Sequence, residues 1–312
     1  MQVLITFLRS GRKFPLLFMT MKIIVLLFSI FTLQGPAMVG QNSSLEKTAE
    51  NYLKIKDHHI YFEVAGNGNP IILIHGGYLD HSIWNSQVEY LNRHGYKTII
   101  FDDLGHGSTV NGEEELYGYE IIEQLRSRLK LDKISLVGLS WGAMLAVDYS
   151  LKYPENVEKL VLISPGMNGW QYFKDPLAQQ NYDLRQLAKK MNQKAMFVEY
   201  FQRNWSDGPG QPATRLRKPV RRYIEQIILQ NVNEHWNESW SKLSNNTQIN
   251  TITKKTLLIT GQLDALDIHE IAKKYHQNIY NSQWTEIKNA AHTLVLEKPE
   301  KTNRLRGKFL KE

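Results

Sequence analysis

From about residue 52 the chain alternates short apolar runs with longer amphipathic stretches. Residues 71–74 and 160–163 are brief and apolar throughout, and 98–101 is apolar after Thr98, as expected of strands buried on both faces. The run Lys133-Ile134-Ser135-Leu136-Val137 reads the same way. Residues 55–64 predict one or two edge strands around Asp57-His58-His59, and Ala65-Gly66-Asn67-Gly68-Asn69-Pro70 predicts a turn after them. Residues 82–92 predict a helix that Gly95 ends. Residues 117–129 predict another, with Ile121, Ile122, Leu125 and Leu129 at helical spacing. A small-residue helical run follows over 143–149. The strand pattern returns at 256–260 and 284–287. Strands separated by helices of this length predict a parallel sheet, because parallel neighbours need a crossover.

The alternation breaks at 165–250. This stretch is polar and aromatic, and it holds Trp170, Trp205, Trp236 and Trp240, four of the seven tryptophans. Helices are predicted over 175–200 and 220–243, separated by the loop Gly208-Pro209-Gly210-Gln211-Pro212. Inserted after a strand of an α/β domain, the segment reads as a helical cap or lid. The core is then 52–164 together with 251–312. Neither internal repeats nor low-complexity tracts occur.

Composition narrows the class. At 312 residues, 42% hydrophobic and 22% charged, the chain can bury a large core. It has no cysteine, which excludes disulfides, thiolate nucleophiles and Cys-based metal sites. Arg9, Arg12, Lys13 and Lys22 give residues 1–40 a charge of +4, leaving +3 of the formal +7 for the rest. That mild remainder, with no basic stripe, predicts no nucleic-acid partner. Arg215, Arg217, Lys218, Arg221 and Arg222 read as a solvated helix face or loop.

Residues 1–40 carry the marks of a signal peptide or N-terminal extension. Lys22 precedes an apolar stretch over 23–33, and Gln34-Gly35-Pro36-Ala37-Met38-Val39-Gly40 follows. The stretch is shorter than the roughly 20 residues of a membrane span. Met21-Lys22 reads as a natural start, and cleavage is expected near Ala37 or Gly40. The expected product is exported, periplasmic or secreted; an uncleaved segment would instead anchor it to the membrane. Residues 41–51 read as a flexible lead-in.

The chemistry centres on Gly138-Leu139-Ser140-Trp141-Gly142, between a predicted strand and a predicted helix. Glycines on both sides let the chain turn sharply and lift the serine hydroxyl off the sheet edge. This setting resembles the nucleophile elbow of the α/β-hydrolases. The resemblance covers residues 52–312. It also rests on His75-Gly76-Gly77, Asp102-x-x-Gly105-x-Gly107-x-Thr109, Gly261-x-x-Asp264 and Ala291-His292. Lys152-Tyr153-Pro154 and Glu297-Lys298-Pro299-Glu300 look like the family's phrases near its nucleophile helix and final helix. It implies an α/β-hydrolase fold: a mostly parallel central sheet flanked by helices, with an inserted helical cap.

A serine needs a base within reach and an acid to hold that base. The family order is Ser, then Asp or Glu, then His. Ser140 comes first. Asp264 follows a buried strand and the Gly261 turn; Asp267 is the runner-up, expected instead to cap the next helix. Ser164-Pro165-Gly166-Met167, after the preceding strand, holds no acid. His292 is the histidine after the last strand. Asp102 falls in the wrong place in the order, and its turn reads as structural. Backbone N–H groups of Trp141 and Gly77 are expected to form an oxyanion hole, with Tyr78 the alternative to Gly77 and His75 a scaffold for the loop. His81 falls near the mouth, and His58, His59, His94, His235, His269 and His276 read as surface residues. No metal-ligand spacing, phosphate loop or dinucleotide fingerprint occurs, so neither metal nor cofactor is expected.

Within the superfamily, Ser140-Trp141-Gly142 and the His75-Gly76-Gly77 loop look like the proline iminopeptidase group. That group's His-Gly-Gly-Pro-Gly is here His-Gly-Gly-Tyr-Leu at 75–79, and the glycine before its histidine is here Ala291. The resemblance implies a serine hydrolase that cleaves a small-molecule or short-peptide substrate through an acyl-enzyme. An aminopeptidase would draw on cap acids for the substrate ammonium, and Glu199, Glu225, Glu234 and Glu238 are candidates. A carboxylesterase on small or lipidic esters would need only an apolar cap. A non-catalytic binder on the same fold is the alternative of another class. Tyr78, Trp170, Trp205, Glu199 and Glu234 are the candidate substrate contacts.

Overall fold

The apolar runs assemble into one sheet. The computed structural model describes residues 51–311. Its strands are β1 (Tyr52–Ile55), β2 (His58–Ala65), β3 (Asn69–Ile74), β4 (Tyr96–Phe101), β5 (Ile134–Leu139), β6 (Val157–Ile163), β7 (Lys255–Gly261) and β8 (Ser282–Ile287). They pair in the order β1-β2-β4-β3-β5-β6-β7-β8. The first two strands are antiparallel at one edge, and every pairing from β4 onward is parallel.

Helices supply the crossovers: α1 (Asn85–Arg93), α2 (Gly118–Arg128), α3 (Trp141–Lys152) and, after an insertion, α7 (Leu266–Asn278). Successive strand residues face opposite sides. Ile72, Ile74, Leu136 and Leu162 pack with α2, α3 and α7; Ile71, Leu73, Val137 and Ile163 pack with α1 and the last helix, α9 (Pro299–Lys311). Burying one such side chain contributes about 1.5–3 kcal/mol. A one-turn helix, α8 (Leu294–Glu297), precedes α9.

Strand order reverses at β3. The chain goes from β3 outward to β4, then crosses back so that β5 lies on the other side of β3. Such a switch point opens a crevice at the carboxyl ends of the strands. The His75-Gly76-Gly77 loop leaves β3 there, and Ser140 leaves β5.

The insertion between β6 and β7 holds α4 (Pro176–Lys190), α5 (Lys194–Trp205) and α6 (Lys218–Glu234). Two expectations for it change. The helix predicted over 175–200 is two helices, broken where Asn192 takes a left-handed backbone with φ of +54°. Asp175 caps the first, accepting from the Leu177 and Ala178 N–H groups. The helix predicted over 220–243 stops at Glu234. Beyond it His235 bonds to the Gly107 carbonyl at 3.0 Å and Lys242 bridges to the segment before α2, so tertiary pairing overrides local propensity.

The basic run is also corrected. Arg217, Lys218 and Arg222 are exposed, but Arg215 pairs with Glu297 and Arg221 with Asp207 and Glu199. His58 is buried rather than on the surface; its ring meets the Glu114 carbonyl and the Gly112 N–H. The expected targeting segment, residues 1–40, and the lead-in up to residue 50 lie outside the described residues. Among the described residues no helix is long and apolar enough to cross a membrane.

Candidate active site

Ser140 sits at the junction of β5 and α3 with φ of 56° and ψ of −109°. A non-glycine residue in that region costs about 1–3 kcal/mol, which the surroundings must impose. They do so by crowding. A Cβ on Gly138 would lie 2.3 Å from the Gly142 carbonyl oxygen, and one on Gly142 would lie 2.2 Å from that of Ile74. The Ser140 N–H donates to Ile163 and its carbonyl accepts from Ala143, Met144 and Gly166, fixing the turn from both sides. The glycine frame of the motif is thus a packing requirement.

Asp264 and His292, distant in sequence, meet here. Asp264 follows β7, and its Oδ1 is 2.9 Å from His292 Nδ1, with Oδ2 at 3.1 Å. Both residues are buried. Asp264 Oδ1 also accepts the Ala265 N–H. The His292 N–H donates to the Trp205 carbonyl, and the Trp205 ring lies 4.6 Å from the imidazole. With Nδ1 held by the carboxylate, Nε2 is left to work as a base. Asp267 plays neither expected part. It lies inside α7, whose N-cap is Ala265, and accepts from the Trp170 indole and the Phe173 and Lys174 N–H groups.

The loop after β3 is held by two histidines whose rings lie 4.8 Å apart. His75 Nε2 accepts the Asp103 N–H, and His106 Nε2 accepts the Tyr78 N–H at 3.0 Å. His106 therefore carries its proton on Nδ1, toward the Leu104 carbonyl. Burial lowers its pKa well below the usual value, so the ring stays neutral. This bond engages the Tyr78 N–H, whereas the Gly77 N–H has no partner among the described residues. Of the two candidate donors in this loop, only Gly77 is open. Trp240 closes the loop from above: a Cβ on Gly77 would lie 2.5 Å from its ring.

Beneath the loop lie two buried aspartates. Asp103 accepts from the Trp141 indole and the Ser241 hydroxyl, yet burial still pushes its carboxyl up. Asp102 accepts from the His81 and Ser108 N–H groups and faces the His81 ring at 2.9 Å. Burial would lower the His81 pKa, but the negative charge of Asp102, with Asp80 and Glu63 nearby, pushes it up to about 9. A folded pKa above the unfolded value of about 6.5 means the stabilisation is complete below pH 6.5 and is lost as pH rises toward 9. The melting temperature is expected to fall by roughly 5 °C more across pH 6.5–9 in the native protein than in H81Q. Parallel pH profiles for the two would refute this.

Ser140, His292, Gly77, Trp141, Tyr78 and Trp205 all line one cavity of about 290 Å³. The rest of its wall is mostly apolar and aromatic: Met144, Tyr172, Phe173, Tyr182, Phe201, Trp240 and Ile268, with one cation, Arg185. Other expected contacts are not among its lining. Trp170 bonds to Asp267 and packs under Lys174, Glu199 pairs with Arg221, and Glu234 is exposed at the end of α6. His81 lies outside the lining too. Among the described residues no three His, Asp or Glu side chains are grouped to hold a metal ion.

Residues 69–299 match the family described as the alpha/beta hydrolase fold. The chain belongs to the α/β-hydrolase family. A proline iminopeptidase of Clostridium botulinum is 25% identical over 291 residues, covering 85% of this hydrolase and 98% of the relative. One from Clostridioides difficile is 24% identical, covering 82% and 95%. Among solved structures, a bromoperoxidase from Bacillus anthracis gives a TM-score of 0.68 at 24% identity, covering 82% of this chain and 96% of that one. An esterase from Exiguobacterium antarcticum gives 0.68 at 21% identity, covering 84% and 99%. At that identity both speak to the fold alone. The sheet, the flanking helices and the proline iminopeptidase likeness expected from the motifs are all present in this hydrolase.

Sequence reasoning missed several residues of the hydrolase site. His106 and Asp103 lie in the Asp102 turn, whose local pattern is structural only, yet they hold Tyr78 and Trp141. Trp240 and Arg185 had no local mark. Their one signal was indirect: an aromatic, polar insertion following a strand of the sheet.

Proposed function

We propose that this protein is a serine hydrolase that cleaves an acyl bond through an acyl-enzyme, with an ester as the favoured substrate. The observation that carries the reading is the buried 2.9 Å contact between Asp264 and His292, the histidine itself lining the cavity that also holds Ser140. Ser140 Oγ attacks the acyl carbon and passes its proton to His292 Nε2. Asp264 holds the ring and stabilises its cation. The Gly77 and Trp141 N–H groups bind the oxyanion, the second lying at the N-terminus of α3 where backbone donors lack intrahelical partners. His292 then gives its proton to the leaving group. Water, deprotonated by the same nitrogen, releases the acyl unit.

The preference for esters rests on the cavity wall. A free amino terminus needs a carboxylate, and none of Glu199, Glu225, Glu234 or Glu238 lines the cavity. The inserted helices fit the role of a cap, since Tyr182, Arg185, Phe201 and Trp205 come from them. The proline iminopeptidase relatives favour the second reading, an aminopeptidase. A fluorophosphonate probe and a substrate panel separate these readings. We expect Ser140-dependent labelling and turnover of p-nitrophenyl esters. Cleavage of proline arylamide at comparable kcat/KM would replace the esterase with the aminopeptidase, and absence of labelling in folded protein would remove both.

One variant tests the oxyanion assignment. Gly77→Ala forces its loop or the Trp240 ring to move, and kcat on the best ester is expected to drop about 10²–10³-fold. An unchanged kcat would move the donor elsewhere.

A further inference from the structure

The cavity wall contains a cation that no carboxylate among the described residues neutralises. Arg185 projects from α4 into a ring of aromatics, 5.2 Å from the Tyr182 centroid and 5.6 Å from those of Phe197 and Phe201. Its Nε is buried without a hydrogen-bond partner, and among the described residues no carboxylate pairs with its guanidinium. The contrast with the neighbouring arginines is direct. Arg203, Arg215 and Arg221, from the same insertion, each hold an aspartate or glutamate. Arg306 also lacks a carboxylate, but it bonds to Asn303 in α9 and does not line the cavity.

An arginine cannot shed its proton to escape such a place. Ring faces return only part of the lost hydration. Among the described residues no charge balances a guanidinium in the wall that also holds Ser140 and His292. A planar carboxylate would, by taking two parallel N–H bonds.

We propose that Arg185 is a subsite for a carboxylate borne by the substrate, so that the favoured substrates are carboxylate-bearing esters, such as monoesters of dicarboxylic acids. The inference rests on the serine hydrolase reading and narrows it. The carboxylate is a spectator. Ser140 Oγ bonds to the ester carbonyl carbon, the bond to the alkoxy oxygen breaks, and the Ser140 proton leaves on that oxygen through His292. Water then returns Ser140 to its hydroxyl, giving one acid and one alcohol.

Two matched pairs test it. Mono-p-nitrophenyl glutarate is compared with p-nitrophenyl valerate for an anion on the acyl side, and 4-acetoxybenzoate with its methyl ester for one on the leaving side. In at least one pair the native protein is expected to favour the anionic member by about 10- to 100-fold in kcat/KM. That ratio should collapse toward one in R185M and survive in part in R185K. A native ratio near one or below in both pairs, or an unchanged ratio in R185M, overturns the proposal. Should R185M fail to fold, inhibition of the native protein decides. Benzoate should bind at least about tenfold more tightly than benzamide and weaken as salt is added, and equal inhibition by the two overturns the proposal. Fluorophosphonate labelling keeps the two failures apart. A labelled Ser140 with no anion preference removes only the subsite, whereas an unlabelled, folded protein removes the hydrolase reading beneath it.

Discussion

Replacing Ser140 by alanine is expected to lower kcat by about 10⁴–10⁶-fold and to abolish fluorophosphonate labelling. The melting temperature should barely change. Alanine keeps the same Cβ, so the close contacts around Gly138 and Gly142 that set the backbone are untouched, and the hydroxyl is not needed for them. The surviving activity is expected to come from the oxyanion donors and substrate binding alone. A kcat within tenfold of the native value would show that another group supplies the nucleophile.

Asp264→Asn carries the second largest effect. The carboxylate accepts from His292 Nδ1 and from the Ala265 N–H. An amide of the same shape can keep the packing but can offer its NH₂ to the ring, which turns the imidazole to the tautomer with the proton on Nε2. The base is then protonated where it should be empty, and kcat is expected to fall about 10⁴-fold. The affinity for a competitive inhibitor should hold, because the cavity wall is unaltered. A loss below tenfold would release Asp264 from its role and point to another acid.

These two residues were legible because their setting is local. A buried strand, a glycine turn and a polar residue just past it form a pattern readable within ten positions, at Ser140 and again at Asp264. Most of the sheet was readable for the same reason: a strand buried on both faces has no polar alternation to confuse it. What was not readable is held by contacts across the chain. The helix break at Asn192 follows from a left-handed residue that no glycine announces. The stop after Glu234 depends on His235 finding the Gly107 carbonyl. Trp240 matters because that stop lets it cover Gly77, and Arg185 matters because three rings surround it. A lone arginine on an amphipathic helix looks the same in sequence whether it faces water or a cavity. The Asp102–His81 pair is hidden likewise: Asp102 sits in a turn of structural pattern, and its partner lies on a different loop.

The insertion is fastened to the same loop that carries His292. The Trp205 carbonyl takes the His292 N–H, while Glu297 takes both the Ala291 N–H and the Arg215 guanidinium. Arg215 in turn binds the Ser206 and Asp207 carbonyls. The insertion and the loop that carries His292 are therefore one coupled unit. A chimera that kept this core but borrowed a relative's 165–250 would keep Glu297 without its Arg215 partner unless the borrowed segment placed an arginine there, and it would have to present a backbone carbonyl where Trp205 does. Successful grafts would need an arginine opposite Glu297 and the backbone path that brings the Trp205 carbonyl to His292, which makes that junction the seam along which this scaffold can be re-engineered.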